Sequence, residues 1–114
     1  IKRNKTSRID LSPLLAFGEK RRTLEKLVTT TQSDMEEVRK AAEAKDMKAL
    51  DNWVHHLRSS WMLIKAEQPL KVLYDTIHTE SISDEELSAA VGVVLAQGKL
   101  IVDLARKEAE RWGE

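Results

Sequence analysis

The sequence predicts an all-α domain, an antiparallel up-down four-helix bundle with a short extra N-terminal helix. Apolar residues recur at intervals of three and four along most of the 114-residue chain, which is the spacing of amphipathic helices. The chain contains only two prolines and four glycines, and its β-branched residues do not alternate with polar ones. The helical segments are joined by short connections, which make successive helices antiparallel neighbours.

The first predicted element is a short helix near Pro13. Asp10 or Ser12 can cap its amino end, and Pro13 fits a first turn, where a missing N–H leaves no intrahelical bond unmade. Gly18 is expected to end it. The apolar side chains expected to dock this helix on the bundle are Leu14, Leu15 and Phe17.

A long helix is predicted over residues 19–44, which contain neither glycine nor proline. Residues 29–31 are three threonines of low helix propensity. The helix therefore either continues through them with a local irregularity or is divided, with Ser33 or Asp34 capping the second part. Its apolar stripe is predicted to consist of Leu24, Leu27, Val28, Met35, Val38 and Ala42.

The next predicted helix, residues 47–66, has a histidine at the centre of its polar side. Asp46 is suited to cap its amino end. At about 100° per residue, the side predicted to face the core carries Leu50, Trp53, Leu57, Ser60 and Ile64. The opposite side carries Asp51, His55, Arg58, Ser59 and Met62.

Two further helices complete the predicted bundle. Pro69 fits the first turn of one, and Ser83 with Glu86 three residues later forms the capping-box pattern that opens the other, which is expected to end near residue 111. Gly92 and Gly98 in the last helix either allow close helix approach or are tolerated surface residues. The predicted inward positions are Leu70, Leu73, Tyr74 and Ile77, then Leu87, Val91, Val94, Leu95, Gly98, Ile101, Val102 and Ala105.

Composition limits the classes of function. There are 19 basic and 19 acidic residues, so the formal net charge is zero, which argues against a broad positive surface for nucleic acid. The absence of cysteine excludes disulfides and thiolate metal sites. Residues 1–8 carry four basic side chains and no acidic one, so we interpret them as a basic tether before a domain at residues 9–114. No run is expected to reach the roughly 18 apolar residues of a membrane span.

One segment of the histidine helix, His55-His56-Leu57-Arg58-Ser59-Ser60, resembles the H-x-L-[KR]-G-[ST] signature of histidine-containing phosphotransfer (HPt) domains of two-component phosphorelays. The resemblance covers residues 9–112, including the short opening helix and the connection before the histidine helix. Ser59 and Lys65 stand where the family commonly has glycine.

The resemblance implies that His55 accepts a phosphoryl group from an aspartate of a receiver domain and passes it to another receiver. Arg58 would donate to the phosphoryl oxygens, while Asp51, Ser59 and Met62 would contact the receiver. No cofactor is expected on this chain, since the Mg²⁺ of the reaction belongs to the receiver. The implied setting is a cytoplasmic module, the C-terminal part of a hybrid sensor histidine kinase, without direct membrane or nucleic-acid contact and monomeric in isolation.

The residues themselves are compatible with that chemistry. A neutral imidazole is a nucleophile, and no nucleotide-binding motif is present, so ATP is not expected to be the direct phosphoryl source. Arg58 could instead be a solvated helix residue paired with Asp51 or Glu67. His56 is expected at the flank of the bundle, and His78 is assigned no chemistry. The alternative function is a helical adaptor or docking module without phosphotransfer.

Overall fold

The computed structural model describes residues 9–16 and 18–112. Within these ranges the chain forms a 3-10 helix and four α-helices, without a strand, which confirms the predicted class. The predicted tether at residues 1–8, Phe17 and residues 113–114 lie outside the described part. In chain order the elements are the 3-10 helix Ser12–Ala16, α1 (Lys20–Glu43), α2 (Met47–Leu63), α3 (Gln68–Ile77) and α4 (Asp84–Arg111).

The predicted caps of α2 and α4 are confirmed. Asp46 accepts a hydrogen bond from the backbone N–H of Ala49 at 3.0 Å. Ser83 accepts one from the N–H of Glu86 at 3.0 Å, and the Glu86 carboxylate accepts one from the N–H of Ser83 at 2.9 Å. Both caps satisfy first-turn donors that have no intrahelical partner, and they fix where each helix begins.

The segment before α1 is hydrogen-bonded to the end of α2. The N–H of Asp10 donates to the carbonyl of Ile64 at 2.8 Å. Asp10, rather than Ser12, is the capping acceptor, because the hydroxyl and the N–H of Ser12 donate to its Oδ1 at 2.5 and 2.9 Å. These bonds lower the pKa of the Asp10 carboxyl. The 3-10 helix also contacts α1.

Helices α1 and α2 end in the same way, each followed by a lysine in the left-handed conformation. The φ angles are 55° at Lys45 and 60° at Lys65. After α2, Lys65 N–H donates to the Met62 carbonyl at 3.1 Å and Ala66 N–H to the Trp61 carbonyl at 2.7 Å. This is the Schellman pattern, whose left-handed position is usually glycine. The helix therefore ends before the predicted residue 66.

The four helices form an antiparallel bundle. Lys20 Nζ at the start of α1 lies 5.0 Å from the ring centroid of Trp112 after α4. At the other end, Lys45 Nζ lies 2.8 Å from Asp84 Oδ2 at the start of α4. Contacts of α1 with α2, α2 with α3, and α3 with α4 complete the ring of neighbours, as the short connections predict.

One apolar core runs through the bundle. Helix α1 continues without interruption through its three threonines, of which Thr31 is buried. The possibility of a divided helix is therefore wrong. The central side chains come from all four helices, namely Val38 and Ala41, then Leu50, Val54, Leu57 and Trp61, then Leu70 and Leu73, and Leu87, Ala90, Val91, Val94 and Ile101.

Several predicted core positions are corrected. The buried stripe of α2 contains Val54 and Trp61, whereas Trp53 is half-buried and Ser60 is exposed. In α3, Tyr74 is exposed rather than inward. The helical period alone does not decide these boundary positions, which depend on how α2 packs against its neighbours α1 and α3.

The two glycines of α4 have different surroundings. A Cβ at Gly98 would overlap Cγ and Sδ of Met35 in α1, whereas a Cβ at Gly92 would meet no atom within 4 Å. Gly98 thus allows close helix approach, and Gly92 is a surface residue.

Helix α4 is long and apolar enough to cross a membrane by length and composition, with a mean hydropathy of 1.6 over its best 18 residues, contrary to the expectation that no run would approach this. In the bundle the same helix supplies eight buried residues to the protein interior, and core helices of soluble proteins meet the same criterion.

Candidate functional site

His55 lies on the solvent side of α2, in the middle of the helix. Its neighbour Val54 is buried, so the next side chain, about 100° further round, leaves the core. The His55 side chain is 57% exposed. Hydrogen-bonded turns extend on both sides of it within α2, so the imidazole is presented to solvent from a regular helix.

Three side chains surround the His55 ring. Asp51, one turn earlier in α2, places Oδ1 at 3.5 Å from His55 Nε2. The same Oδ1 lies 3.1 Å from Nε2 of His78, just after α3. The Tyr74 ring stands edge-on to His55 at a centroid distance of 6.0 Å and packs against His78 at 4.2 Å. Asp51 and the three rings form one polar cluster across the α2–α3 boundary, which we call the imidazole cluster.

An open groove of about 490 Å³ begins at the imidazole cluster and follows the boundary between α2 and α3. Its floor is apolar, while its rim carries both basic and acidic groups. Such a surface can hold a neighbouring polypeptide by apolar contact and orient it by charge. The lining residues are Val54, His55, Arg58, Met62, Glu67, Leu70, Lys71, Tyr74 and Asp75.

The other predicted site residues on α2 are brought together only in part. Arg58 and Met62 line the groove with His55, and Met62 is 49% exposed. Ser59 is exposed on the same helix but does not line the groove. Asp51 is half-buried and its carboxylate is hydrogen-bonded to His78. It therefore lies within the imidazole cluster and is less accessible to a receiver than His55 is.

Arg58 lacks an ion-pair partner among the described residues, since no carboxylate of residues 9–16 and 18–112 lies within 4.0 Å of its guanidinium. The alternative pairing with Asp51 or Glu67 is therefore not formed. The guanidinium remains available to an anion arriving at the groove.

His56 lies on a different side of α2 from the groove. Its ring packs edge-on against Trp53 at a centroid distance of 5.0 Å, and its charge acts on Asp34 of α1. Partial burial raises the pKa of the Asp34 carboxyl, and the nearby His56 opposes this increase. The predicted position of His56 at the flank of the bundle is confirmed.

Tyr74, His78 and Lys71 belong to the site but were not predicted as parts of it from the sequence. A signal was present, because Asp51 and His55 are four residues apart, as are Tyr74 and His78. Each pair therefore occupies one helix face. Only the register between α2 and α3, which no local pattern specifies, brings the two pairs into contact.

Within the described ranges, no three histidine, aspartate or glutamate side chains are arranged to hold a metal ion.

Comparisons of the chain with protein-family models, with curated proteins and with solved structures found no match. The features of this chain that bear on a function are therefore the geometry around His55 and the residue pattern that contains it.

Proposed function

We propose that this domain is a phosphorelay intermediate in which His55 accepts a phosphoryl group from a receiver aspartate and returns it to another. The observation that supports this most is the exposure of the His55 imidazole on a regular helix, at the head of an open groove and beside Arg58, which forms no ion pair with residues 9–16 or 18–112. A phosphoryl carrier needs such access, because its reaction partner is a side chain on another protein.

The proposed transfer uses Nε2 of His55, the ring nitrogen farther from the backbone. Its lone pair attacks the phosphorus of the receiver's aspartyl phosphate, forming an N–P bond while the P–O bond breaks. The electron pair of that bond leaves on the receiver's carboxylate, and Nδ1 of His55 keeps its proton. Arg58 donates charge-assisted hydrogen bonds to the phosphoryl oxygens during this step.

The groove supplies a docking surface for the receiver. Met62, Tyr74 and the apolar floor offer contact area. Arg58, next to His55, would attract the aspartyl phosphate, while Lys71, Glu67 and Asp75 offer charges of both signs to the rest of the receiver surface. The Mg²⁺ that assists the receiver's aspartate would arrive with the receiver. This function places the domain in cytoplasmic signal transduction, as a separate carrier or as part of a hybrid histidine kinase.

The proposal is tested with a panel of purified receiver domains labelled by radioactive acetyl phosphate. Label is expected to move from at least one receiver to this domain, and the product should be labile in acid and stable in alkali, as a phosphoramidate is. Radioactive ATP alone should give no label. If no receiver transfers label although one binds the domain tightly, the domain is a docking module and the proposed phosphotransfer is wrong.

A further inference from the structure

Asp51 Oδ1 lies near the imidazoles of both His55 and His78, and it is hydrogen-bonded to His78, which follows α3. Its Oδ1 lies 3.1 Å from His78 Nε2, within hydrogen-bond distance, and 3.5 Å from His55 Nε2, beyond the usual range for an N–H···O bond. A carboxylate oxygen accepts and does not donate. The proton of this bond is therefore on His78 Nε2.

The bond to His78 affects which nitrogen of His55 can act as nucleophile. If Asp51 accepted a proton from His55 Nε2 instead, that nitrogen would carry N–H and the lone pair would lie on Nδ1, next to the backbone. Neutral imidazole has one protonated and one free nitrogen, and the hydrogen bond of one decides the state of the other. An Asp51 bonded to His55 would thus oppose attack through Nε2.

The carboxylate also opposes the product by charge. A phosphoryl group on His55 Nε2 carries about −1.5 to −2 charges and would lie beside Asp51 Oδ1. Repulsion between the two groups is reduced when Asp51 accepts a hydrogen bond from another side chain. His78 is the residue that provides this bond among the described residues.

We propose that His78 is a positioning residue for the phosphoryl acceptor: it keeps Asp51 Oδ1 in a hydrogen bond with its own Nε2, so that the Nε2 lone pair of His55 stays free. This inference rests on the proposed function and extends it to a residue of α3's C-terminal end. His78 acts through Asp51 and makes no contact with the transferred group. The transfer itself is the one proposed above, in which the N–P bond to His55 Nε2 forms as the P–O bond to the receiver's aspartate breaks.

The surroundings of His78 suit this role. It is the C-terminal capping residue of α3, and its backbone N–H donates to the carbonyl of Tyr74 at 3.1 Å. Its ring packs against the Tyr74 ring at 4.2 Å with an interplanar angle of 37°. These contacts restrain the imidazole from two directions and aim Nε2 at Asp51.

The test measures the tautomer of His55 in the isolated domain from its ring-nitrogen chemical shifts in NMR spectra. In the wild type, His55 should be mainly protonated on Nδ1. His78→Phe keeps a ring against Tyr74 but removes the donor, and it should raise the fraction protonated on Nε2. His78→Gln retains a donor and should give a smaller change. Circular dichroism checks that each variant keeps the wild-type helix content.

Asp51→Ala separates action through Asp51 from a general structural effect. In the Asp51→Ala background, His78→Phe should leave the His55 tautomer unchanged. With a phosphorylated receiver, His78→Phe alone should slow transfer roughly threefold to tenfold, the population change produced by one net hydrogen bond, and should not slow it further in the Asp51→Ala background.

An unchanged His55 tautomer in His78→Phe would overturn the inference, whether or not the domain transfers phosphate. An equal effect of His78→Phe with and without Asp51 would also overturn it. If the tautomer responds as expected but no receiver labels the wild-type domain, the proposed function fails while the coupling of His78 to His55 through Asp51 holds. The two failures are therefore distinguishable.

Discussion

Met35 of α1 packs its Cγ and Sδ atoms into the space that a side chain at Gly98 of α4 would fill. We predict that Gly98→Ala lowers the free energy of unfolding by about 1 kcal/mol, because overpacking outweighs the gain in helix propensity. The added Cβ would displace Cγ of Met35, so the Met35 side chain would have to rotate about its Cα–Cβ bond. Urea unfolding measures the difference.

Gly92→Ala is the matched control, since a Cβ there meets nothing. It should raise the free energy of unfolding by about 0.5 to 1 kcal/mol. In a Met35→Ala background, Gly98→Ala should also become stabilising. Equal effects of Gly98→Ala with and without Met35 would contradict the account of this helix contact.

The two tryptophans of α2 should differ in their contribution to stability. Trp61 is 2% exposed, so Trp61→Ala should lower the free energy of unfolding by about 3 to 5 kcal/mol. Trp53 is half-buried against His56 and the edge of the core, and Trp53→Ala should lower it by less than about half as much. Denaturant unfolding of the two variants compares them directly. A larger loss at Trp53 would mean that the buried stripe of α2 has been misplaced, and with it the exposure of His55.

The starts of α2 and α4 and their caps could be predicted from the sequence because their signals are local. Asp46 and Ser83 cap the helices that their positions indicate, since a side chain and an N–H two or three residues later suffice. The predicted stripe of α2 is confirmed at Leu50, Leu57 and Ile64. It differs at the tryptophans, because Trp53 and Trp61 both lie near Leu57 on a helical projection. The packing of α2 against the other helices decides which tryptophan is buried, and that information is not local. The contact of Asp51 with His78 could not be predicted for the same reason, because it depends on how α2 and α3 pack together.

The left-handed lysine after α2 predicts a stabilising substitution. Lys65 has φ of 60°, a conformation that strains residues with a Cβ by about 1 to 2 kcal/mol. Lys65→Gly should raise the free energy of unfolding by about 0.5 to 1 kcal/mol, after the greater chain entropy of glycine is subtracted. Thermal and urea unfolding check this. Lys107→Gly in the interior of α4 should instead lower stability by about 1 kcal/mol, and a loss of stability at Lys65 would contradict the assigned helix end.

Arg58→Ala should slow phosphoryl transfer from a receiver about tenfold to hundredfold, the effect of losing one hydrogen bond to a charged group. Stability should change little, because Arg58 is exposed and forms no ion pair within the described residues. The transfer rate is followed by quenched-flow labelling. Arg58→Lys should retain part of the rate, and Arg106→Ala on α4 is the control for removal of an exposed arginine. An unchanged rate in Arg58→Ala would leave Arg58 as a solvated helix residue.

The central claim is that one nitrogen of one residue carries the phosphoryl group, and labelling of His55→Gln by a phosphorylated receiver tests it most directly. Glutamine keeps a polar side chain at this exposed position but has no nucleophilic ring nitrogen, so the bundle should stay folded and label should be abolished. His56→Gln, on the flank toward α1, should be labelled as the wild type is. Label that persists in His55→Gln, or that disappears in His56→Gln instead, would contradict the assignment.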